Sequence, residues 1–131
     1  VLEGRSVLIL EDEPVIGFAL EDMVETIGGR VCGTAFRVAE ALQLLEHQSC
    51  DAAILDVNIA GERSYPVADA LAARGIPFIF ATGYGDSEHP ERFAKWPTVT
   101  KPYGLDDIRA ALLGALKSGD VGKAADRSRK W

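Results

Sequence analysis

Four short apolar runs, each closed by a chemically reactive polar residue, constrain this chain more than any other feature. Val7-Leu8-Ile9-Leu10 runs into Glu11-Asp12, and Ala52-Ala53-Ile54-Leu55 runs into Asp56. Phe78-Ile79-Phe80-Ala81 runs into Thr82, and the shorter Thr98-Val99-Thr100 runs into Lys101-Pro102. Continuous apolar runs of this length read as strands buried on both faces, which is the habit of a parallel sheet.

The segments between them follow helical spacing. Ile16, Leu20, Met23, Val24 and Ile27 recur on one face after Pro14, a residue suited to a first turn, and Gly28-Gly29 stops the run. Strands are expected near residues 6–10, 30–35, 51–55, 77–81 and 98–100, and helices near 14–27, 38–47, 66–74 and 105–117. Residues 83–97 are rich in Gly, Pro and charge and read as a loop holding a short helix near 90–95, against which Trp96 packs. This rhythm predicts βαβ units in one doubly wound α/β domain over residues 1–117. Residues 118–131 lack a sustained apolar period and read as a tail or linker.

Composition bounds the function. A chain of 131 residues with 47% hydrophobic content can bury one core and is not a disordered polymer. Its net charge of −6 argues against a general nucleic-acid binder. No apolar stretch approaches the roughly 20 residues of a membrane span, and no secretory leader pattern is present. Cys32 and Cys50 have no metal-ligand spacing and read as small, buried or half-buried thiols, which fits a reducing cytoplasm. His47 and His89 read as surface residues. Val1 in place of Met points to an excised or processed piece.

Ligands of open parallel sheets bind beyond the carboxyl ends of the strands. Glu11, Asp12, Asp56, Thr82 and Lys101 are therefore expected to meet at one edge. Two carboxylates about 4 Å apart repel by roughly 4 kcal/mol at an effective dielectric near 20, so a cation or proton must join them. Hard oxygen ligands suit Mg²⁺, with Mn²⁺ as the alternative ion. Asp56, central among the strand ends, is the nucleophile candidate and could form an acyl phosphate. Lys101 and Thr82 would hold phosphoryl oxygens, and the Asn58 backbone carbonyl would be a third protein ligand to the metal. A dinucleotide site is excluded because Glu11-Asp12-Glu13-Pro14 replaces a glycine-rich turn.

These residues resemble a family. Leu8-Ile9-Leu10-Glu11-Asp12-Glu13-Pro14, Leu55-Asp56-Val57-Asn58, Ala81-Thr82-Gly83 and Lys101-Pro102 look like the response-regulator receiver domain of bacterial two-component signalling. The resemblance implies a flavodoxin-like (βα)5 fold with strand order 2-1-3-4-5. It also implies phosphorylation of Asp56 by a histidine kinase or histidine phosphotransfer protein, with Mg²⁺ required. Asp12 and Asp56 would ligate the metal directly and Glu11 mostly through water. The Lys101-Pro102 peptide would be cis. Such a domain is a signalling switch rather than an enzyme, with self-phosphorylation from small donors and autodephosphorylation. Glu13, Ile16, Pro102 and Tyr103 would flank the pocket mouth on the kinase side, and output would pass to a downstream protein or a second copy of the chain.

Pro77-Phe78-Ile79-Phe80-Ala81-Thr82-Gly83-Tyr84 further resembles a subfamily nicknamed FAT GUY, whose members act in bacterial stress-response relays. The alternative is a receiver excised from a hybrid histidine kinase or multidomain regulator. Two departures stand out. Many receivers carry Tyr or Phe three residues before the lysine, where this chain has Thr98, and the loop after Asp56 lacks the common Met-Pro pattern. Tyr84, between Gly83 and Gly85, is the substitute candidate for passing the signal outward. An aspartyl-phosphate phosphatase of the haloacid-dehalogenase type would place Asp-x-Asp after the first strand, and this chain does not. An unphosphorylated scaffold would have lost the acid pair, Asp56 or Lys101, and none is lost.

Overall fold

The computed structural model describes residues 2–83 and 89–129, with side chains through residue 118. In chain order the elements are β1 (Ser6–Leu10), α1 (Pro14–Thr26), β2 (Arg30–Ala35), α2 (Val38–His47), β3 (Ala52–Asp56), β4 (Asn58–Ile59), β5 (Glu62–Arg63), α3 (Tyr65–Ala73), β6 (Phe78–Thr82), a 3-10 turn (Glu91–Phe93), β7 (Thr98–Thr100) and α4 (Leu105–Arg129). Five strands pair in the order β2-β1-β3-β6-β7, and every pair in that sheet is parallel. This is the flavodoxin-like order expected from the sequence.

The sheet forms because its central strands are apolar on both faces. All five residues of β1, β3 and β6 are buried, and Leu8, Ile9, Leu10, Ile54, Leu55, Phe78 and Phe80 are wholly so. Each such side chain contributes roughly 1.5–3 kcal/mol by leaving water. The chain moves from β1 outward to β2, then reverses to β3, β6 and β7. Right-handed crossovers therefore put α2 and α3 on one face, where they pack side by side, and α1 on the other. The reversal leaves a crevice at the carboxyl ends of β1 and β3.

Several local expectations are corrected. The helix expected near 90–95 is only the 3-10 turn Glu91–Phe93. Pro90 and Pro97 bracket too few residues to nucleate an α-helix, although Trp96 is buried there and packs on Phe78 at 4.7 Å. The last helix does not stop near Lys117 but runs to Arg129, through the segment read as a tail. That segment is mostly polar, and a helix polar all round has no apolar period to read. The loop expected after Asp56 holds the two-residue strands β4 and β5, joined by Ala60 (φ 50) and Gly61 (φ 86). Positive φ at both loop residues is the hairpin pattern that fits the twist of paired strands.

The cysteines are not free thiols. Cys32 and Cys50 form a disulfide, with Cα atoms 6.2 Å apart and a sequence separation of 18. Cys32 is the extra residue where the β1–β2 register slips between Val7 and Leu8, and Cys50 leads into β3 on the other side of β1. Only the fold brings those two positions together. His89 is not a surface residue either: it is half-buried and hydrogen-bonded on both ring nitrogens. His47 is exposed as expected. Tyr84 and Gly85 lie outside the described residues.

Candidate functional site

Each site residue is delivered by a strand end. Glu11 follows β1 directly, and its amide still bonds Ala35 O of β2 at 3.0 Å. Its side chain is wholly buried, and Oε2 accepts the Glu13 amide at 3.1 Å as the chain turns into α1. Asp56 is the last residue of β3, in register with Ala81 of β6, so Thr82 stands one position further along. Thr82 O accepts the Lys101 amide at 2.8 Å, which fixes the end of β7 to the end of β6, and the Lys101-Pro102 peptide that follows is cis.

The side chains converge. Lys101 Nζ donates to Asp56 Oδ2 at 3.0 Å and stands 3.3 Å from Glu11 Oε1. The second contact is close enough for attraction but not aligned as a hydrogen bond, leaving Glu11 Oε1 without a hydrogen-bond partner. Carboxylate oxygens of Glu11, Asp12 and Asp56 lie within 4.8 Å of one another. Asp12 is half-buried, and its Oδ2 accepts the Ala60 amide at 2.9 Å from the β4–β5 turn. The Asn58 amide approaches Asp56 Oδ1 at 3.4 Å. Thr82 Oγ1 is buried with no hydrogen-bond partner among the described residues.

The electrostatics follow from burial. Burial pushes the Glu11 carboxyl up to about 7, aided by the charge of Asp56 and opposed by the Glu13 amide and Lys101. Burial works against the Lys101 charge, but the hydrogen bond and attraction of Asp56, and then Glu11, outweigh it and hold the ammonium well above its ordinary value. Burial also pushes the Tyr103 phenol up to about 12, with Glu11 adding to the rise. Three carboxylates against one ammonium leave a negative pocket of hard oxygens. With Glu11 Oε1 and Thr82 Oγ1 unsatisfied, that donor set fits a divalent cation of the Mg²⁺ kind and an oxyanion beside it.

The flanking residues divide. Glu13 and Pro102 are exposed, whereas Ile16 and Tyr103 are half-buried. Ile16, Lys101, Pro102 and Tyr103 line an apolar cavity of about 440 Å³ together with Val15 and Met23 of α1. A larger groove of about 640 Å³ lies between β7 and the start of α4, but none of Glu11, Asp12, Asp56 and Lys101 lines it. Two features escaped the sequence: the Ala60 amide on Asp12, which is a backbone contact without side-chain signature, and the contacts of His89.

The order of the sheet and the pocket at its reversal define a flavodoxin-like α/β domain with an acid–lysine site at the switch point. The chain belongs to the response regulator receiver domain family, whose pattern matches residues 7–113. Domains of this family are signalling switches in two-component systems, bind Mg²⁺ at an acidic pocket and interact with histidine kinases and downstream effectors.

A curated relative, the phyllosphere-induced regulator PhyR of Methylorubrum extorquens, is 33% identical over 122 residues, covering 86% of this chain and 44% of that protein. The chain thus spans about half the length of the curated relatives it matches. The solution structure of SdrG from Sphingomonas melonis Fr1 is 47% identical with a TM-score of 0.78, covering 87% of this chain and 98% of that one. The BeF3-activated conformation of SdrG is 48% identical with a TM-score of 0.72, covering 85% and 95%.

Proposed function

We propose that this chain is a phosphoacceptor receiver in a histidine-to-aspartate relay, phosphorylated on Asp56. The observation that carries the reading is Lys101 Nζ held between Asp56 and Glu11, beside a buried Thr82 hydroxyl that has no hydrogen-bond partner among the described residues. An oxygen of the Asp56 carboxylate attacks the phosphorus of a phosphohistidine. A P–O bond forms, the P–N bond breaks, and its electron pair returns to the imidazole of the donor. Lys101 stays charged throughout and follows the phosphoryl oxygens, and the Thr82 hydroxyl donates to another of them. Glu11, Asp12, Asp56 and the Asn58 carbonyl would hold a divalent cation, which would supply further charge neutralisation.

The donor, a histidine kinase or histidine phosphotransfer protein, docks over α1 and the Pro102-Tyr103 segment. Val15 is 80% and Phe18 59% exposed there, beside the apolar cavity at the pocket mouth. On this reading the chain is a cytoplasmic member of the FAT GUY group; its likeness to PhyR, a stress response regulator and anti-anti-sigma factor, supports a role in a stress-response relay with output through protein contacts rather than nucleic acid or membrane.

The test is incubation with acetyl phosphate or phosphoramidate and Mg²⁺, followed by intact-mass measurement. One added phosphoryl group, labile to hydroxylamine and absent from Asp56→Asn, is the expected result. An unchanged mass, or an equal gain in Asp56→Asn, would overturn the assignment.

A further inference from the structure

His89 lies outside the acid pocket and joins three elements that flank it. Its Nδ1 is 3.2 Å from the Tyr65 hydroxyl at the start of α3, and its Nε2 is 3.0 Å from Thr98 Oγ1 on β7. Its ring stacks on Phe80 of β6 with centroids 4.3 Å apart and planes 27° apart. Phe80 and Thr98 are register partners, and the next pair on the same face is Thr82 and Thr100. Lys101 follows at once, its amide bonded to Thr82 O. The imidazole is thus clamped against the same two strands whose ends carry Thr82 and Lys101.

The chemistry of the ring suits a clamp. A neutral imidazole has one donor and one acceptor, and the hydroxyls of Tyr65 and Thr98 can each play either part, so both bonds persist in either tautomer. Burial lowers the proton affinity of His89, which keeps it in that neutral form. The contacts continue outward. Tyr65 stacks on Phe93 at 5.5 Å, and Arg92 pairs with Asp69 of α3 at 2.9 Å, so the 3-10 turn is tied to the same helix. Thr98 on β7 and Tyr65 on α3 are joined through the same imidazole. His89 supplies the ring that spans the gap.

We propose that His89 is a positioning residue that couples the Thr82–Lys101 end of β6 and β7 to the start of α3 and the outer edge of β7. The proposal rests on the reading of Asp56 as phosphoacceptor. When Thr82 turns toward a phosphoryl group, movement at the end of β6 reaches Phe80, and the stacked imidazole carries it to Tyr65 and Thr98 together. The surface that changes is then the one made by α3, the 3-10 turn and β7.

The experiment is heteronuclear NMR on the whole chain, with and without Mg²⁺ plus beryllofluoride as the phosphoryl mimic. In the wild type, shifts are expected at Thr82 and Lys101, at the His89 ring nitrogens, at Tyr65 and at Val99. His89→Phe keeps the stack and removes both hydrogen bonds. It should retain the Thr82 and Lys101 response and lose the shifts at Tyr65 and Val99. Thr98→Val, which leaves His89 in place, should lose the Val99 shift alone, and Thr98→Ser should restore it. Full shifts at Tyr65 and Val99 in both His89→Phe and Thr98→Val would overturn the coupling while leaving Asp56 as acceptor. No response at Thr82 and Lys101 in the wild type would overturn both readings. Should His89→Phe fail to fold, the Thr98 pair decides the matter.

Discussion

Glu11 offers a quantitative test of the pocket. Its carboxyl, about 4.5 in the unfolded chain, is raised to about 7 in the fold, chiefly by burial. Between those values the folded protein keeps a proton that the unfolded chain has released. Stability from this group is therefore fully present below pH 4.5 and is lost as pH rises through 7. At about 1.4 kcal/mol per unit, the whole shift amounts to about 3 kcal/mol. Glu11 is wholly buried, so solvent screening takes little from that figure. Glu11→Gln keeps the shape and removes the titration. Urea unfolding of both proteins with chelator present, from pH 4.5 to 8, should show Glu11→Gln gaining on the wild type by about 3 kcal/mol across the range. Mg²⁺ competes with the proton, so adding it should stabilise the wild type more at pH 8 than at pH 5. A stability difference between the two proteins that stays flat with pH in chelator would refute the placement of Glu11 as a buried, metal-free acid.

Two further predictions concern the frame around the site. Opening the Cys32–Cys50 bridge frees an 18-residue loop, a loss of about 3 kcal/mol, read as the drop in urea stability on adding dithiothreitol and as two newly alkylated thiols by mass. Ala60 sits at φ 50 before Gly61, so Ala60→Asn should raise stability by about 1 kcal/mol in thermal or urea unfolding, with the backbone donor to Asp12 retained.

What was legible follows from how each feature is encoded. Strands β1, β3 and β6 could be read because their residues are buried on both faces, which leaves an unbroken apolar run with an abrupt polar end. The meeting of Glu11, Asp12, Asp56 and Lys101 could be read because parallel strands put their carboxyl ends at one edge. Features set by tertiary contact left no such trace. The disulfide depends on a register slip at Cys32, the hairpin on two residues entering positive φ, and the role of His89 on a ring reaching across to Phe80. The end of α4 was missed for the opposite reason: its mostly polar sequence hides a helix that backbone hydrogen bonds still define.

The pocket also separates what folds the chain from what the chain is for. A buried polar atom without a partner costs roughly 1–3 kcal/mol, and a Val at Thr82 would fill the same space at no such cost. Ser64, Trp96, Tyr103 and Arg109 also carry buried polar atoms without a hydrogen-bond partner among the described residues, and Tyr103 shares a cavity lining with Lys101. Glu11 Oε1 and Thr82 Oγ1 differ because both flank the Asp56–Lys101 pair, one on β1 and one on β6. The Glu11 oxygen has only the off-axis Lys101 ammonium at 3.3 Å and can still take a proton or a metal ion, and the Thr82 hydroxyl can still donate to an anionic acceptor. A phosphoryl group bound with a divalent cation satisfies both at once, and neither ion alone does. The fold thus leaves bonding capacity on both sides of Asp56 that a phosphoryl group there, together with a divalent cation, would take up.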